Sequence, residues 1–244
     1  MYYGPDQALI HHTRFGDLAA DAARLLITRL HASGLTDGHV TDLGCGSGIL
    51  AAALLEAGYA VTGIDISADM IDRARTNAPA GSFTVGSVHD AELVPSVGVT
   101  ATGEVLNYAT DPRAGLDALS SVAARVFVAL APGGVFLFDV ATPGRNLGVN
   151  PRHVFHDHES WLLGMHATED GARLDRRIAI LMREPDGRYR RVDEHLVLML
   201  YDVPDIVAAS ESVGFTVETR AAYTEATAST PASGWAVFAA TKPR

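Results

Sequence analysis

The chain has 244 residues, of which 48% are hydrophobic, so it can form one α/β domain with an elaboration or two small domains. Its net charge of −10 argues against a nucleic-acid-binding protein, which would need clustered Lys and Arg. The single cysteine excludes an internal disulfide, and we see neither a signal peptide nor an apolar run of bilayer length, so we expect a cytoplasmic protein without a membrane partner.

The first part of the chain alternates between helical and strand patterns. Helical spacing of apolar residues predicts a short helix and then a longer one before Gly34. Strands are predicted at 40–43, 59–64, 83–85, 97–102 and 135–140, helices at 49–57, 67–77 and 116–130, and a turn at 131–134. This alternation is typical of a doubly wound α/β fold with a mostly parallel, Rossmann-like sheet.

The pattern changes after residue 142. Residues 160–201 alternate between polar and apolar side chains and carry turn signals at 169–171 and 185–187, which predicts an antiparallel β-meander. A helix at 205–213 and strands at 215–220 and 235–241 follow, and these two strands are close enough in sequence to pair antiparallel. They would complete a seven-stranded sheet, with the meander as an insertion.

The stretch 40–65 carries the strongest functional signal. Glycines follow the first strand and precede a helix, so that backbone N–H groups and the positive helix end can face a ligand. Asp65 ends the next strand, where its carboxylate can accept hydrogen bonds from both hydroxyls of a ribose. We therefore expect a nucleoside-containing cofactor at the carboxyl ends of the strands. An NAD-dependent oxidoreductase is one rival, but a dinucleotide site requires glycine or alanine where Ile49 stands.

The segment Asp-Leu-Gly-Cys-Gly-Ser-Gly at 42–48 resembles the first motif of class I S-adenosylmethionine-dependent methyltransferases. The resemblance extends through residues 40–140, and it implies S-adenosyl-L-methionine as methyl donor and S-adenosyl-L-homocysteine as product. It further implies a cofactor-binding set that comprises Asp42, Gly44, Gly46 and Gly48 around the methionine part, Asp65 at the ribose, Ile66, Met70, Ser87 and Val88 at the adenine, and Gly103 after the fourth strand. Ser87 departs from the pattern, because many relatives carry an acid there.

The methyl acceptor is expected at the end of the fourth strand, in residues 102–108. Enzymes that methylate nitrogens of nucleic-acid bases or of glutamine carry an Asn/Asp-Pro-Pro-Tyr segment there, and residues 107–110 lack its prolines. The resemblance is instead to the small-molecule branch, which implies an N-terminal helical lid at 1–35 and a meander insertion at 143–201. Residues 36–142 and 202–244 would then form the cofactor-binding domain.

These patterns predict methyl transfer to N or O of a small-molecule metabolite. A non-catalytic S-adenosylmethionine-binding regulator is a second rival hypothesis. We expect no nucleic-acid partner, and the sequence leaves the oligomeric state open, a homodimer included.

Three residues are candidates for catalysis. Glu104 and Asn107 follow the fourth strand, where each can orient an amine or hydroxyl or, alternatively, cap a helix. His195 lies on the less apolar face of a meander strand and is the preferred general base, the alternative being a histidine without a catalytic role.

Other polar residues are weaker candidates. The resemblance assigns Tyr3, His11, His12, Arg14 and Phe15 to the lid, with Arg14 either at the methionine carboxylate or on the surface. The histidines at 153, 156 and 158 have no partner cluster elsewhere in the sequence, so no metal site is expected.

Overall fold

The computed structural model describes residues 4–14, 16–109, 111–224 and 234–244, with Arg14 described by its backbone alone. The candidates Tyr3, Phe15 and the side chain of Arg14 therefore lie outside the described residues. None of the helices in these ranges is long and apolar enough to cross a membrane.

The described residues form six α-helices and eleven β-strands. The helices are α1 (Pro5–Arg14), α2 (Gly16–Ala32), α3 (Ile49–Glu56), α4 (Ala68–Asn77), α5 (Leu116–Ala129) and α6 (Val203–Ser212). The strands are β1 (His39–Leu43), β2 (Ala60–Asp65), β3 (Ser82–Val85), β4 (Ser96–Ala101), β5 (Leu130–Ala141), β6 (Arg152–His158), β7 (Trp161–Asp170), β8 (Arg173–Arg183), β9 (Tyr189–Met199), β10 (Thr216–Arg220) and β11 (Trp235–Thr241). Local signals placed many boundaries well, as at α4, where the Ser67 hydroxyl caps the helix by accepting from the backbone N–H of Met70.

Seven strands form a mostly parallel sheet in the order β10-β11-β5-β4-β1-β2-β3. Strand β11 is antiparallel to both of its neighbours, and β1 through β5 pair in parallel. The predicted doubly wound sheet is thus confirmed. The strand order reverses between β1 and β4, and such a switch point opens a crevice at the carboxyl ends of the strands.

The second N-terminal helix belongs to the sheet rather than to a cover. In α2, Leu25, Leu26 and Leu30 are buried in one apolar core with residues of β1 and α3. Helix α1 instead contacts α4 and the meander strand β8. Of the two helices in residues 1–35, α2 packs mainly on the sheet and α1 reaches the meander.

Strands β6 to β9 form a separate four-stranded antiparallel sheet, as the alternating pattern predicted. Strand β6 was not among the predicted strands, because the histidines of Arg152–His158 suggested only a possible metal cluster. The expected turn at 131–134 is wrong as well: these residues extend β5, with a shift in register between the pair Ser96 and Leu130 and the pair Gly98 and Val135. The Pro-Gly-Gly segment therefore makes an irregularity within the strand.

Candidate active site

A cavity lies at the carboxyl ends of β1, β2 and β4, and we name it the cofactor cavity. Eight of the ten residues predicted to bind the cofactor line it: Gly44, Gly46, Asp65, Ile66, Met70, Ser87, Val88 and Gly103. These residues are up to 59 positions apart in sequence (103 − 44), and the parallel strands bring them together. The other two, Asp42 and Gly48, do not line the cavity.

The carboxylate of Asp65 is fixed by the backbone of its neighbours. Its Oδ2 accepts the N–H of Gly46 at 2.9 Å, and its Oδ1 accepts the N–H of Ser67 at 2.8 Å. Burial raises the pKa of Asp65, and these backbone N–H groups oppose that shift. Because an ionised carboxylate can accept about four hydrogen bonds and Asp65 lines the cavity, it can still accept from a ligand.

Asp42 is buried at the end of β1. Its Oδ1 accepts the hydroxyl of Thr100 at 2.6 Å, whereas its buried Oδ2 has no hydrogen-bond partner among the described residues. Burial raises its pKa to about 7, the Thr100 hydroxyl opposes the rise, and the nearby Asp65 adds to it. A buried acceptor without a donor is costly, so this oxygen suits a positively charged group of a ligand or a bound water.

Two glycines of the first motif have different roles. Gly46 lines the cavity with φ +52°, and a Cβ atom there would meet nothing within 4 Å, so any side chain would project into open space. Gly48 instead packs under α4, because a Cβ atom there would lie 2.9 Å from the Cα of Ala74. The packing of α4 therefore requires a glycine at position 48, and Gly48 does not line the cavity.

The far end of the cavity offers an apolar surface and a carboxylate. Ile66 lines it with 50% of its side chain exposed, an apolar group well placed under an aromatic ring. The hydroxyl of Ser87 donates to Oδ2 of Asp111 at 2.6 Å, and Asp111 also lines the cavity. Arg113 donates to Asp111, and these hydrogen bonds lower the pKa of Asp111. The acid missing at position 87 is therefore present from another loop.

A second cavity, of about 440 Å³, lies between α1, the loop after β4 and the meander. We name it the acceptor cavity. It shares His11, Gly103, Tyr108 and Leu196 with the cofactor cavity, so the two spaces meet at these four residues. Its volume is in the range usual for small-molecule sites.

The meander is joined to the loop after β4 at this junction. Tyr108 forms a single antiparallel bridge to Leu198, and the N–H of Ala109 donates to the carbonyl of Val197 at 2.8 Å. The meander is therefore held against the tip of β4 by backbone contacts.

Glu104 is buried between two arginines and lines the acceptor cavity. Its Oε2 lies 2.7 Å from Nη1 of Arg176, and its Oε1 lies 2.5 Å from Nε of Arg145. Burial alone would raise its pKa, but the guanidinium groups of Arg176 and Arg145 outweigh burial and lower it to about 2. Glu104 is thus an anion at neutral pH and a poor candidate for accepting a proton.

Asp139 holds the backbone of this loop and was not recognised in the sequence. Its carboxylate accepts the N–H groups of Gly103 at 2.7 Å and Glu104 at 2.6 Å, and also the Tyr223 hydroxyl and the indole N–H of Trp235. Glu104 consequently adopts φ +63°, which is unusual for a side chain other than glycine. The one sequence feature that indicated a structural role for Asp139 is the presence of an acid within the apolar run of β5.

Asn107 links strands instead of facing a substrate. It is fully buried; its Nδ2 donates to the carbonyls of Ala141 at 2.9 Å and Met199 at 2.6 Å, and its Oδ1 accepts the N–H of Ala141. All three contacts are with backbone, so neither expected role, orienting a substrate or capping a helix, fits the geometry. These partners are distant in sequence, so the sequence pattern around Asn107 could not predict the contacts.

His195 is on the face of the meander directed away from both cavities. Its Nε2 lies 2.7 Å from Oδ2 of Asp175, and 54% of its side chain is exposed. Its neighbour Leu196 points to the cavities instead, as strand alternation requires. The structure therefore does not bring His195 to the site, and it contradicts the choice of His195 as general base.

His11 is the imidazole that lines both cavities. Burial lowers its pKa to about 4, with a smaller contribution from the neighbouring His12, so the ring is neutral at physiological pH. His153 and His156 lie on opposite faces of β6. Among the described residues no three His, Cys, Asp or Glu side chains form a group able to hold a metal ion.

Helix α1 is tied to both sides of the site. At its C-terminal half, Nδ1 of His12 lies 3.0 Å from the hydroxyl of Ser47 in the glycine loop. At its start, Asp6 forms a two-pronged ion pair with Arg190 of β9, at 2.7 and 3.0 Å. The helix therefore spans from the cofactor loop to the meander.

Comparison with known proteins agrees with this geometry. Residues 40–134 match the family described as "Methyltransferase domain". A ubiquinone biosynthesis O-methyltransferase from Idiomarina loihiensis is 31% identical over 153 residues, which are 60% of this chain and 54% of that protein. The chain thus spans about half the length of this relative.

Solved structures share the fold over almost the whole chain. An S-adenosylmethionine-dependent methyltransferase from Clostridium acetobutylicum matches with a TM-score of 0.83 and 15% identity, covering 97% of this chain and 98% of that one. An amino pentose methyltransferase from Micromonospora echinaspora, solved with S-adenosylmethionine bound, matches with a TM-score of 0.75 and 20% identity, covering 99% and 98%. These findings favour a methyltransferase over the NAD-dependent alternative. Residues 40–134 therefore match a methyltransferase domain, and the chain as a whole has the fold of S-adenosylmethionine-dependent methyltransferases.

Proposed function

We propose that this enzyme transfers the methyl group of S-adenosylmethionine to a nitrogen or oxygen atom of a small molecule held in the acceptor cavity. The observation that carries the proposal is the shared boundary of the two cavities at His11, Gly103, Tyr108 and Leu196. S-adenosylmethionine supplies an electrophilic sulfonium methyl group when it is bound. The residues of this chain position the acceptor beside it and keep water away.

Each part of the cofactor has candidate partners. Asp65 suits the ribose hydroxyls, and the Gly44 and Gly46 backbone suits the methionine part. Asp42 is buried and does not line the cavity, so we propose that its carboxylate attracts the amino end of the cofactor by charge or through a bound water. Met70 and Val88 join Ile66 in the apolar surface for adenine. We assign the polar edge of adenine to the Ser87–Asp111 pair, which lies where relatives carry their acid. Asp111 already accepts from Ser87 and Arg113, so we expect it to act on the adenine amino group through its negative charge.

We further propose that α1 closes over the reacting groups as a lid. Its contacts with Ser47 on one side and Arg190 on the other would hold it across the junction of the cavities. His11 is then the side chain of this lid that lies beside the reacting N or O of the acceptor. As a neutral imidazole it is able to accept a hydrogen bond from an amine or hydroxyl, and its lowered pKa makes it a weak base.

The acceptor cavity lies between α1, the loop after β4 and the meander, and its volume of about 440 Å³ suits a small molecule. Its apolar side chains come from α1, α2, the meander and β11: Ile10, Leu18, Leu163, Met165, Ile178 and Trp235. Such a lining suits an acceptor with an apolar body and a few polar groups.

The test is a labelled methyl transfer. The protein is incubated with S-adenosylmethionine carrying an isotopically labelled methyl group and a panel of small amines, phenols, hydroxy acids and amino sugars. We expect equal amounts of S-adenosylhomocysteine and of one labelled product, whose fragmentation identifies a methylated N or O. Label found only on carbon, or only on protein or nucleic acid added to the same mixture, would contradict the proposal.

A further inference from the structure

Positive charge is concentrated in the acceptor cavity of an acidic protein. Among the described residues that line this cavity, Arg145, Arg152 and Arg176 carry three positive charges, and Glu104 carries the one negative charge. The formal balance of these Arg and Glu side chains is therefore 3 − 1 = +2, in a chain whose net charge is −10.

Glu104 alone does not neutralise the arginines around it. Its Oε1 accepts from Arg145 Nε and, at 3.3 Å, from Arg176 Nη2, while its Oε2 accepts from Arg176 Nη1. One carboxylate is thus shared by two guanidinium groups. The contact to Arg145 uses Nε, and neither terminal nitrogen of Arg145 hydrogen-bonds to another described residue.

Arg145 is held in place by its own loop. The carboxylate of Glu169 accepts the backbone N–H groups of Gly144 and Asn146, the residues on either side of Arg145, at 2.5 and 3.0 Å. The Glu104 contact then orients the guanidinium itself. A side chain fixed in this way loses little further freedom when a ligand binds.

Arg152 adds a guanidinium from β6. It is partly buried, it lines the cavity, and it makes no ion pair or hydrogen bond with another described side chain. Partly buried cations without a counter-ion are unfavourable, and the planar fork of a guanidinium matches a carboxylate or phosphate in two-pronged contact.

We propose that Arg145 and Arg152 bind an anionic oxygen-bearing group of the methyl acceptor, a carboxylate or a phosphate. This inference rests on the proposed function, since it names the class of acceptor for the same cavity. The anionic group would balance the positive charge of the arginines and fix the position of the acceptor in the cavity. The apolar body of the acceptor would then pack against the apolar side chains of the cavity. Its reacting N or O would reach the junction with the cofactor cavity.

The test compares head groups on one apolar body in the presence of saturating S-adenosylhomocysteine. The probes are 3-phenylpropanoate, 2-phenylethylphosphonate, the neutral 3-phenylpropanamide and the cationic 3-phenylpropylamine, each titrated by calorimetry and by thermal shift. We expect one or both anions to bind at least about 10-fold more tightly than the amide and the amine. The two anionic arms separate a carboxylate site from a phosphate site.

Variants locate the site of binding. Replacing Arg152 with Met should weaken the anion at least about 10-fold and leave the amide unchanged, because this arginine makes no contact that the fold requires. Arg177→Met is the matched control: Arg177 is on β8 next to Arg176, but its side chain is 76% exposed and faces the other side of the meander. Arg145→Met tests the second arginine, with its folding checked by circular dichroism.

Two failures can be told apart. If S-adenosylhomocysteine does not bind to the wild-type protein, the proposed function fails, and the head-group comparison is then made without it. If S-adenosylhomocysteine binds but the amide or amine binds as well as the anions, or if Arg152→Met and Arg177→Met behave alike, the inference fails while the methyltransferase function stands.

Discussion

Oε2 of Glu104 lies 2.7 Å from Nη1 of Arg176, so a buried ion pair joins the loop after β4 to the meander. Both side chains line the acceptor cavity, and both are largely buried, with 7% and 14% of their surfaces exposed. The contact gives a stability prediction that is independent of any ligand.

Replacing Glu104 with Gln should destabilise the protein by about 3 kcal/mol at neutral pH, since the buried guanidinium of Arg176 loses its counter-ion. The measure is the free energy of unfolding in urea. Glu184→Gln, which affects an ion pair with the half-exposed Arg190, is the control and should cost less than about 1 kcal/mol. Equal losses in the two variants would show that the Glu104 pair is not a buried one.

The same pair should give the protein a characteristic acid sensitivity. The pKa of Glu104 falls from 4.5 to about 2 in the folded state, so its stabilisation is complete above pH 4.5 and is lost as the pH falls towards 2. The difference in unfolding free energy between wild type and Glu104→Gln should therefore shrink across this interval. A difference that stays constant between pH 5 and pH 2 would contradict the assignment.

Asp111 should contribute to cofactor affinity although it lies outside the first motif. Asp111→Asn should weaken binding of S-adenosylhomocysteine about 10-fold, because negative charge is lost at the adenine end of the cavity. Asp90→Asn is the control, since Asp90 also pairs with Arg113 but does not line the cavity. Calorimetric titration of both variants measures the effect, and equal affinities for the two would rule out Asp111 as the adenine partner.

Asp42 should make cofactor binding depend on pH. Its pKa is raised to about 7, mainly by burial, so a large share of the protein carries a neutral Asp42 at pH 7. A ligand ammonium group favours the ionised form, and affinity for S-adenosylhomocysteine should rise as the pH increases from about 6 to about 8. Asp42→Asn should remove this part of the dependence and leave only the titration of the ligand. Parallel pH profiles for the two proteins would show that Asp42 does not take part.

The same shift has the opposite sign for stability without ligand. Because the folded state favours neutral Asp42, its contribution is fully present below pH 3.8 and is lost as the pH rises through about 7. Asp42→Asn keeps the neutral form at every pH. The free protein should therefore gain stability from Asp42→Asn at pH 8 relative to pH 5, and a gain that is equal at both values would contradict the raised pKa.

The two histidine candidates should separate cleanly in kinetics. His195→Ala should leave kcat unchanged within about 2-fold, because its ring pairs with Asp175 on the outer face of the meander. His11→Ala should lower kcat at least about 10-fold, as it removes the imidazole at the junction of the cavities. The assay is single-turnover methyl transfer to an acceptor found by the labelled panel. A loss with His195→Ala and none with His11→Ala would reverse the assignment.

The parts of the fold that local sequence determines were predictable, and the parts that depend on distant partners were not. Ser67 and Pro79, which are close in sequence, mark the two ends of α4. The glycine loop offers backbone groups to the ligand, so the loop sequence alone indicates its role. Asn107, in contrast, bonds to residues 34 and 92 positions away, and nothing in its neighbourhood indicates those contacts.

The site shows the same division. The residues of the cofactor cavity come from motif positions that the sequence reveals, whereas Asp111 reaches Ser87 only because of how the loop after β4 folds back. Likewise, strand alternation correctly placed His195 and Leu196 on opposite faces, but it could not tell which face the sheet turns to the cavities.

The most direct test of the central claim is a calorimetric titration of the wild-type protein, Asp65→Ala and Asp69→Ala with S-adenosylhomocysteine and, separately, with NAD. Asp65 lines the cofactor cavity. Asp69→Ala is the control, because it removes the same charge from the first turn of α4, outside the cavity. We predict that the wild type binds S-adenosylhomocysteine but not NAD, that Asp69→Ala stays within about 2-fold, and that Asp65→Ala weakens binding at least about 10-fold. Binding of NAD in place of S-adenosylhomocysteine, or unchanged affinity in Asp65→Ala, would contradict the account.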